Sequence, residues 1–414
     1  MAEKLAGKRS VFRYSGVTPF LGARLAATIA AQMQAVVVGW QVYDISHSPL
    51  ALGFVGLAQF VPMALFILPA GDFADRFNRK HLLVMSWMLQ ALASILFVVL
   101  TLSHFPGLMP FYGVLVLFGL ARAFSGSTMQ PFLTQLVPVE DLARAIAWNS
   151  SAFQFAVIAG PALGGAAYIL GPGVAYAICF ALFLGAGLAV LTIRGERAQT
   201  RETSGHSAFA RFTAGIAYVR DNPIILGAIS LDLFAVLFGG ATALLPVYAS
   251  AILHIGPVGL GALRSAMAVG AFAVGLYLGR RSLARHTGMT MFACVALFGV
   301  ATLVFGLSRS FALSFAALAV AGAADMVSVF VRATLVQLAT PDQMRGRVSA
   351  VNSLFIGTSN QLGEFESGVT ASWFGTVPAV VIGGLGTLAV VGLWMWRFPA
   401  LRRVDRLADV RPAA

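Results

Sequence analysis

The chain has 414 residues, of which 58% are hydrophobic and only 11% charged, and its mean hydropathy is +0.84. Soluble domains are about 45–50% apolar and about 25% charged, so this composition excludes a soluble globular protein. The formal net charge of +12 invites a nucleic-acid reading, which the positions of the cations then exclude.

A basic tail, residues 1–16 with Lys4, Lys8, Arg9 and Arg13, precedes an apolar segment from Val17 to Tyr43. That segment is too long for the core of a signal peptide and lacks a small-residue cleavage site, so it is expected to stay as a first helix. Apolar runs long enough to cross a roughly 30 Å hydrocarbon core then recur. They predict spans over 50–70, 81–102, 108–136, 144–170 and 173–193, completing a first bundle of residues 17–193. A polar linker, 194–222, ends in SAFARFTAGIAYVRDN, which places Phe209, Phe212, Ile216 and Val219 on one side of an amphipathic helix expected at the membrane surface. Spans over 224–253, 258–278, 289–307, 311–338, 347–374 and 377–396 build a second bundle, residues 223–397, before a basic tail, 398–414.

Of the 28 Lys and Arg residues, 23 lie in the tails and the even-numbered connections, while the odd-numbered connections hold Arg309 alone. The positive-inside rule then puts both termini in the cytoplasm, so the high pI is a topology signal rather than a nucleic-acid footprint. Cys179 and Cys294 sit singly in apolar runs, which argues for packing over a disulfide or thiolate metal site. No G-x-x-x-x-G-K-[ST] loop is present, so the chain carries no nucleotide-driven motor of its own.

The two halves repeat. A shift of 203 residues superposes Gly119 on Gly322, Pro138 on Pro341, Arg144 on Arg347, Asn149 on Asn352, Gly160 on Gly363 and Gly165 on Gly368. Parallel six-helix repeats around a central site are a transporter architecture.

Three motifs carry a family resemblance. GDFADRFNRK after the second span offers Gly71, Asp75, Arg76, Arg79 and Lys80, with Asn78 at a position many relatives give to glycine. Arg122 and Gly126 stand in the fourth span as R-x-x-x-G, and Gly160, Pro161, Gly164 and Gly165 in the fifth as G-P-x-x-G-G. With these the chain resembles the major facilitator superfamily. The segments GWQVYDISHSPLALG, PDQMRGRVSAVNSLFIG and SNQLGEFESG resemble its enterobactin-exporter-like secretion branch. The resemblance implies an all-α membrane protein of twelve helices in two pseudo-symmetric bundles. It also implies a cytoplasmic gate in which the Asp75 loop grips the end of span eleven, and an exporter motif at Gly160–Gly165. The counterpart loop, GRRSLARH, has Leu283 at the acid's position.

Ionisable residues at membrane depth cost about 2.5–3.5 kcal/mol or more and face a cavity or a partner. They are Arg24, Arg122, Asp232, Arg264, Asp325, Arg332, Glu364 and Glu366. Asp325, Glu364, Asp232 and Glu366 are the candidates for proton coupling, with Arg122 either displacing the proton or holding an anionic substrate. Permanent ion pairing between helices is the competing explanation. Arg24 and Arg264 lie nearer span ends and are expected to snorkel. Gln32, Trp40, Gln41, Gln130 and Asn360 join Arg122 as candidate substrate contacts. His47, His104 and His254 fall in different loops, and no metal or cofactor site is expected.

The expected function is secondary transport: export of a small organic molecule, a siderophore or drug-like compound, across a bacterial inner membrane in exchange for protons. The chain is expected to be monomeric, surrounded by lipid, without a nucleic-acid partner and without enzymatic activity. Uptake or metal-ion transport by the same fold, and a sensor that has lost transport, are the alternatives.

Overall fold

The computed structural model of the chain describes residues 10–105, 107–194, 208–280 and 285–407. Lys4, Lys8, Arg9, residues 195–207 of the linker and Leu283 lie outside the described residues, as do the side chains of Asp75 and Phe209. The described chain is helical throughout. The elements are α1 (Val17–Ser46), α2 (Pro49–Arg76), α3 (Arg79–Leu102), α4 (Met109–Leu136), α5 (Val139–Tyr168), α6 (Pro172–Leu191) and α7 (Ala208–Asp221). Then follow α8 (Pro223–Phe238), the short α9 (Leu245–Val247), α10 (Gly256–Arg280), α11 (Thr287–Leu307), α12 (Phe311–Leu338), α13 (Asp342–Phe374), α14 (Thr376–Arg397) and α15 (Pro399–Arg402). Helices dominate because a hydrocarbon solvent offers no partner for backbone polar groups, which must therefore bond within the segment.

Among the described residues, ten stretches are long and apolar enough to cross a membrane, counting Pro223–Ile252 as one. Neither α5 nor α13 is among them, although they are 30 and 33 residues long. They are the repeat-related fifth helices, and both carry runs of polar side chains, Asn149 to Ser151 in one and Thr358 to Gln361 in the other. Polar helices at membrane depth face protein or a water-filled route rather than lipid.

The chain divides into two units: Met1–Ala35 with Val61–Gly205, and Val36–Phe60 with His206–Ala414. The halves of α1 and α2 next to their connection therefore belong to the second unit. In the first unit α3 packs on α4 and α6. Phe97 stacks on Tyr176 at 5.0 Å between ring centroids and meets Phe111 at 5.9 Å, all three buried. The segment before α1 is strapped to the start of α5. Arg13 donates to Asp141 Oδ2 at 2.9 Å, the Tyr14 hydroxyl donates to the same oxygen at 2.8 Å, and Phe12 meets Trp148 edge-on. The Tyr14 hydrogen bond and then the Arg13 charge hold the Asp141 carboxyl below its ordinary range, against the opposing effect of desolvation.

In the second unit α12 packs on α10 and α11, and α8 on α13 and α14. Two features depart from the sequence reading. The seventh span is not one helix: α8 ends at Phe238, and Gly239-Gly240 leads into a 3-10 turn, α9 and a π turn over Tyr248–Ile252. Adjacent glycines weaken the helix, and Pro246 removes a backbone donor just beyond them. Thr387 donates its hydroxyl to the Ala235 carbonyl at 3.1 Å, so a carbonyl at the break keeps a partner. The linker helix α7, expected on the membrane surface, packs instead on protein. Val219 is buried with Ile225, Val348 and Val351, and the Tyr218 hydroxyl donates to the Ala339 carbonyl at 2.9 Å. Ile216 stays exposed.

Both units turn between their fifth and sixth helices on a glycine of positive φ, Gly171 (φ +105°) and Gly375 (φ +91°), a conformation that side chains rarely adopt. The repeat also extends to packing. A Cβ on Gly160 would stand 2.5 Å from Gln32 Cβ, and one on Gly164 would stand 2.8 Å from Met33 Cα, so α5 presses on α1 through these glycines. A Cβ on Gly363 would meet the Val236 and Leu237 carbonyls at 2.9 Å. The α5–α1 crossing through Gly160 thus has a counterpart in the α13–α8 crossing through Gly363.

Candidate functional site

In the second unit one cation is bonded to one carboxylate and lies within the field of a second. Arg332, late in α12, donates from Nη1 to Asp232 Oδ2 on α8 at 2.6 Å, with the two side chains 3% and 8% exposed. Charges this dry are tolerated because each neutralises the other. Asp325 lies seven residues before Arg332, hence on the same face of α12 and about 10 Å away along the axis. It is half-buried and within the fields of both Asp232 and Arg332. Among the described residues no cation is bonded to it. Asp232 is thus bridged by Arg332 between α8 and α12, and among the described residues Asp325 has no cation of its own.

A second polar cluster in the same unit is built by α13. Glu364 Oε2 lies 2.8 Å from where a Cβ on Gly56 would stand, and the buried, unpartnered Gln361 Oε1 lies 3.3 Å from that point. Gly53 and Gly368 complete a close crossing of α2 and α13, with a Cβ on Gly53 meeting the Gly368 Cα at 3.3 Å. Arg264 on α10 feels the Glu364 charge, and its Nη1 is 4.0 Å from the Cβ position of Gly39. Arg264 therefore turns into the unit rather than snorkelling outward. Glu366 is two residues on from Glu364 and so on a different face of α13. Its Oε1 accepts a hydrogen bond from Thr370 at 2.7 Å.

The candidate substrate contacts are distributed over both units. Arg122 and Gln130 are exposed on α4, and Gln32 lies against Gly160, all in the first unit. Trp40 is half-buried and Gln41 buried in the second unit, where Asn360 is exposed and donates to the Ile356 carbonyl of its own helix at 2.8 Å. Pro161 and Gly165 are buried in α5 beside the Gly160 and Gly164 contacts with α1.

The loop GDFADRFNRK is largely helix-capping machinery. Asn78, where many relatives have glycine, N-caps α3 by accepting from the Lys80 and His81 amides. Arg79 is 9% exposed and donates to the Ala74 and Pro131 carbonyls, while Lys80 Nζ donates to the Ile193 carbonyl at 2.6 Å. These cations satisfy carbonyls at the ends of α2, α4 and α6. Asp72 is half-buried, Arg76 is exposed, and Gly71 has open space where its Cβ would be.

His47, His104 and His254 each adopt positive φ in a separate connection, a helix-ending role. Among the described residues no three His, Cys, Asp or Glu side chains are grouped to hold a metal ion. Arg332 is the functional candidate to which sequence reading gave no role. Its spacing of seven from Asp325 was the available signal.

A bundle of transmembrane helices in repeated halves, with charged side chains held at membrane depth, defines a membrane transporter rather than an enzyme. The family model described as transmembrane secretion effector matches residues 10–412, and the chain belongs to this family of the major facilitator superfamily. It is 24% identical over 389 residues to the enterobactin exporter EntS of Citrobacter koseri, covering 92% of this chain and 91% of that one. Among solved structures it resembles a mutant of the nucleoside transporter NupG, with a TM-score of 0.73, 13% identity and coverage of 92% and 100%. It also resembles a bacterial homologue of the human lysosomal transporter Spinster in an inward-facing and occupied conformation, with a TM-score of 0.71, 15% identity and coverage of 96% and 97%.

Proposed function

We propose that the chain exports a small organic molecule, of siderophore or drug-like character, across a bacterial inner membrane by alternating access in exchange for protons, with both termini in the cytoplasm. The observation that carries this reading is the arrangement of Asp232, Arg332 and Asp325. Asp232 is neutralised by Arg332, which leaves Asp325, to which no cation among the described residues is bonded, as the acid whose charge a proton cancels. Asp325 is accordingly the proton carrier, and the Asp232–Arg332 bridge holds its surroundings in place. Glu364, lying against the glycines of α2 and within the field of Arg264, is the second titrating group. Arg122, Gln32, Gln130, Trp40, Gln41 and Asn360 are the proposed substrate contacts. The loop at Asp75 acts as the cytoplasmic gate.

The distant relationship to an enterobactin exporter supports export over uptake. The test uses proteoliposomes with an internal pH dye and a panel of siderophores and amphipathic drugs. A transported compound moves protons through the wild-type chain, and Asp325→Asn abolishes that movement. A variant that still couples the compound to protons overturns the assignment.

A further inference from the structure

The outer stripe of α14 marks where the membrane surface lies. Ile382, Leu385, Leu393 and Trp396 are exposed and recur at helical spacing, while Gly384, Thr387 and Val391 are buried on the opposite face. An exposed apolar stripe on a membrane-spanning helix faces lipid, and a tryptophan at its end settles at the interface. Trp396, 76% exposed, ends this stripe, and Arg397 follows it. Beyond Arg397 the chain stays against the second unit and crosses the start of α11. Leu401 and Val404 are buried in the core shared by α8, α11, α12 and α14. The Thr287 and Gly288 amides donate to the Asp405 and Val404 carbonyls at 3.0 and 2.9 Å, and the His286 amide donates to Asp405 Oδ1 at 2.8 Å. These amides open α11 and have no acceptor within it, so the strap from Pro399 to Leu407 supplies one. A Cβ on Gly288 would run into the Leu401 carbonyl, which shows how closely the strap lies.

Because Leu401 and Val404 are committed to the core, the residues between and after them are left outside. Arg402, Arg403 and Arg406 are exposed, as is Arg285, the neighbour of His286. Four guanidinium groups are therefore held around one fixed strap just past Trp396. Asp405, the acid among them, already accepts the His286 amide. Among the described residues no carboxylate pairs with any of the four arginines. Like charges gathered on an anchored backbone cannot spread apart as those of a loose tail do, so an anionic surface relieves them. We propose that the strap is a docking surface for anionic phospholipid. Phosphate oxygens accept from the arginine forks, and the acyl chains lie along the α14 stripe with the glycerol level at Trp396. Charged head and apolar tail thus meet matching chemistry side by side at the end of α14. The inference concerns the surface of the second unit and holds whatever compound the chain moves.

The probe is phosphatidylglycerol with brominated acyl chains, which quench a tryptophan they touch. The purified full chain is reconstituted into phosphatidylcholine bilayers with a rising share of phosphatidylglycerol, one lipid being brominated at a time. The difference between each chain and its Trp396→Phe form isolates the signal of Trp396. Phosphatidylglycerol is expected to be preferred over phosphatidylcholine there by about fivefold or more, since each cation near an anionic surface adds about that factor. The preference should shrink as salt is raised and be largely lost in the triple variant Arg402→Gln, Arg403→Gln, Arg406→Gln. Should the triple variant fail to fold, Arg402→Gln and Arg406→Gln alone each report the surface through a partial loss. A preference that is absent, or that survives these substitutions in full, overturns the proposal. A second arm adds glycerol 1-phosphate, against sodium chloride of equal ionic strength. An unchanged preference supports the lipid, whereas a loss specific to glycerol phosphate assigns the arginines to soluble phosphates and overturns the lipid as occupant. The readout needs no transport, so a failure here leaves the proposed export standing, and a failure of export leaves this surface standing.

Discussion

Replacing Asp232 by Asn tests whether the bridge between α8 and α12 is structural. The pair is 2.6 Å long with side chains 3% and 8% exposed, so its loss leaves the Arg332 guanidinium dry and uncompensated. Removing one partner of a buried pair costs about 3–5 kcal/mol. Asp325 lies two turns away along α12 and is not bonded to Arg332. The variant should therefore unfold earlier than wild type in thermal and denaturant titrations of the detergent-solubilised chain. Adding Arg332→Met to Asp232→Leu should recover most of the loss, because an apolar pair of similar volume replaces an ion pair at little cost. An Asp232→Asn variant within about 0.5 kcal/mol of wild type would refute the reasoning, a span in which surface substitutions usually fall. A double variant as weak as the singles would do the same.

Three further outcomes follow from the first unit and from α13. Because the Asp141 carboxyl is held below its ordinary range, the strap formed by Arg13 and Tyr14 is intact above that range and is lost as pH falls through the depressed value. Cross-linking of a cysteine placed at Ser10 to one on α5 should fade only in strong acid, and in Asp141→Asn it should be weak at every pH. Gly164→Val puts side-chain atoms where Met33 Cα stands 2.8 Å away, and overpacking of this kind costs about 1–3 kcal/mol, read as a lowered unfolding midpoint. Gly56→Leu meets Glu364 Oε2 and Gln361, so it should slow transport more than it lowers expression, and unchanged turnover would remove Glu364 from the coupling scheme.

Hydropathy made most of the fold legible, because long apolar runs and basic connections are direct consequences of a hydrocarbon solvent. The 203-residue repeat extended that reading to packing, since Gly160 and Gly363 make equivalent crossings on α1 and α8. Span seven is present as Pro223–Ile252, but hydropathy does not register the change of hydrogen-bond pattern beyond Gly239-Gly240. The linker helix was placed on the membrane because amphipathicity alone does not distinguish a lipid surface from the protein face that buries Val219. At the candidate site the acids were visible one by one, but their partners were not. Asp232 and Arg332 are 100 residues apart, and only folding shows that they meet while Asp325 is left without a cation. The cations of GDFADRFNRK were read as part of a cytoplasmic gate, and folding adds that Arg79 and Lys80 donate to helix-end carbonyls.

The most direct measurement of the account is substrate-driven proton movement through Asp325→Asn in proteoliposomes, beside wild type and Asp232→Asn of matched reconstitution. Asp325→Asn should fold as wild type does and yield no proton signal with any compound that drives one through the wild-type chain. A full proton signal from Asp325→Asn would contradict the account and move the coupling site elsewhere in the bundle.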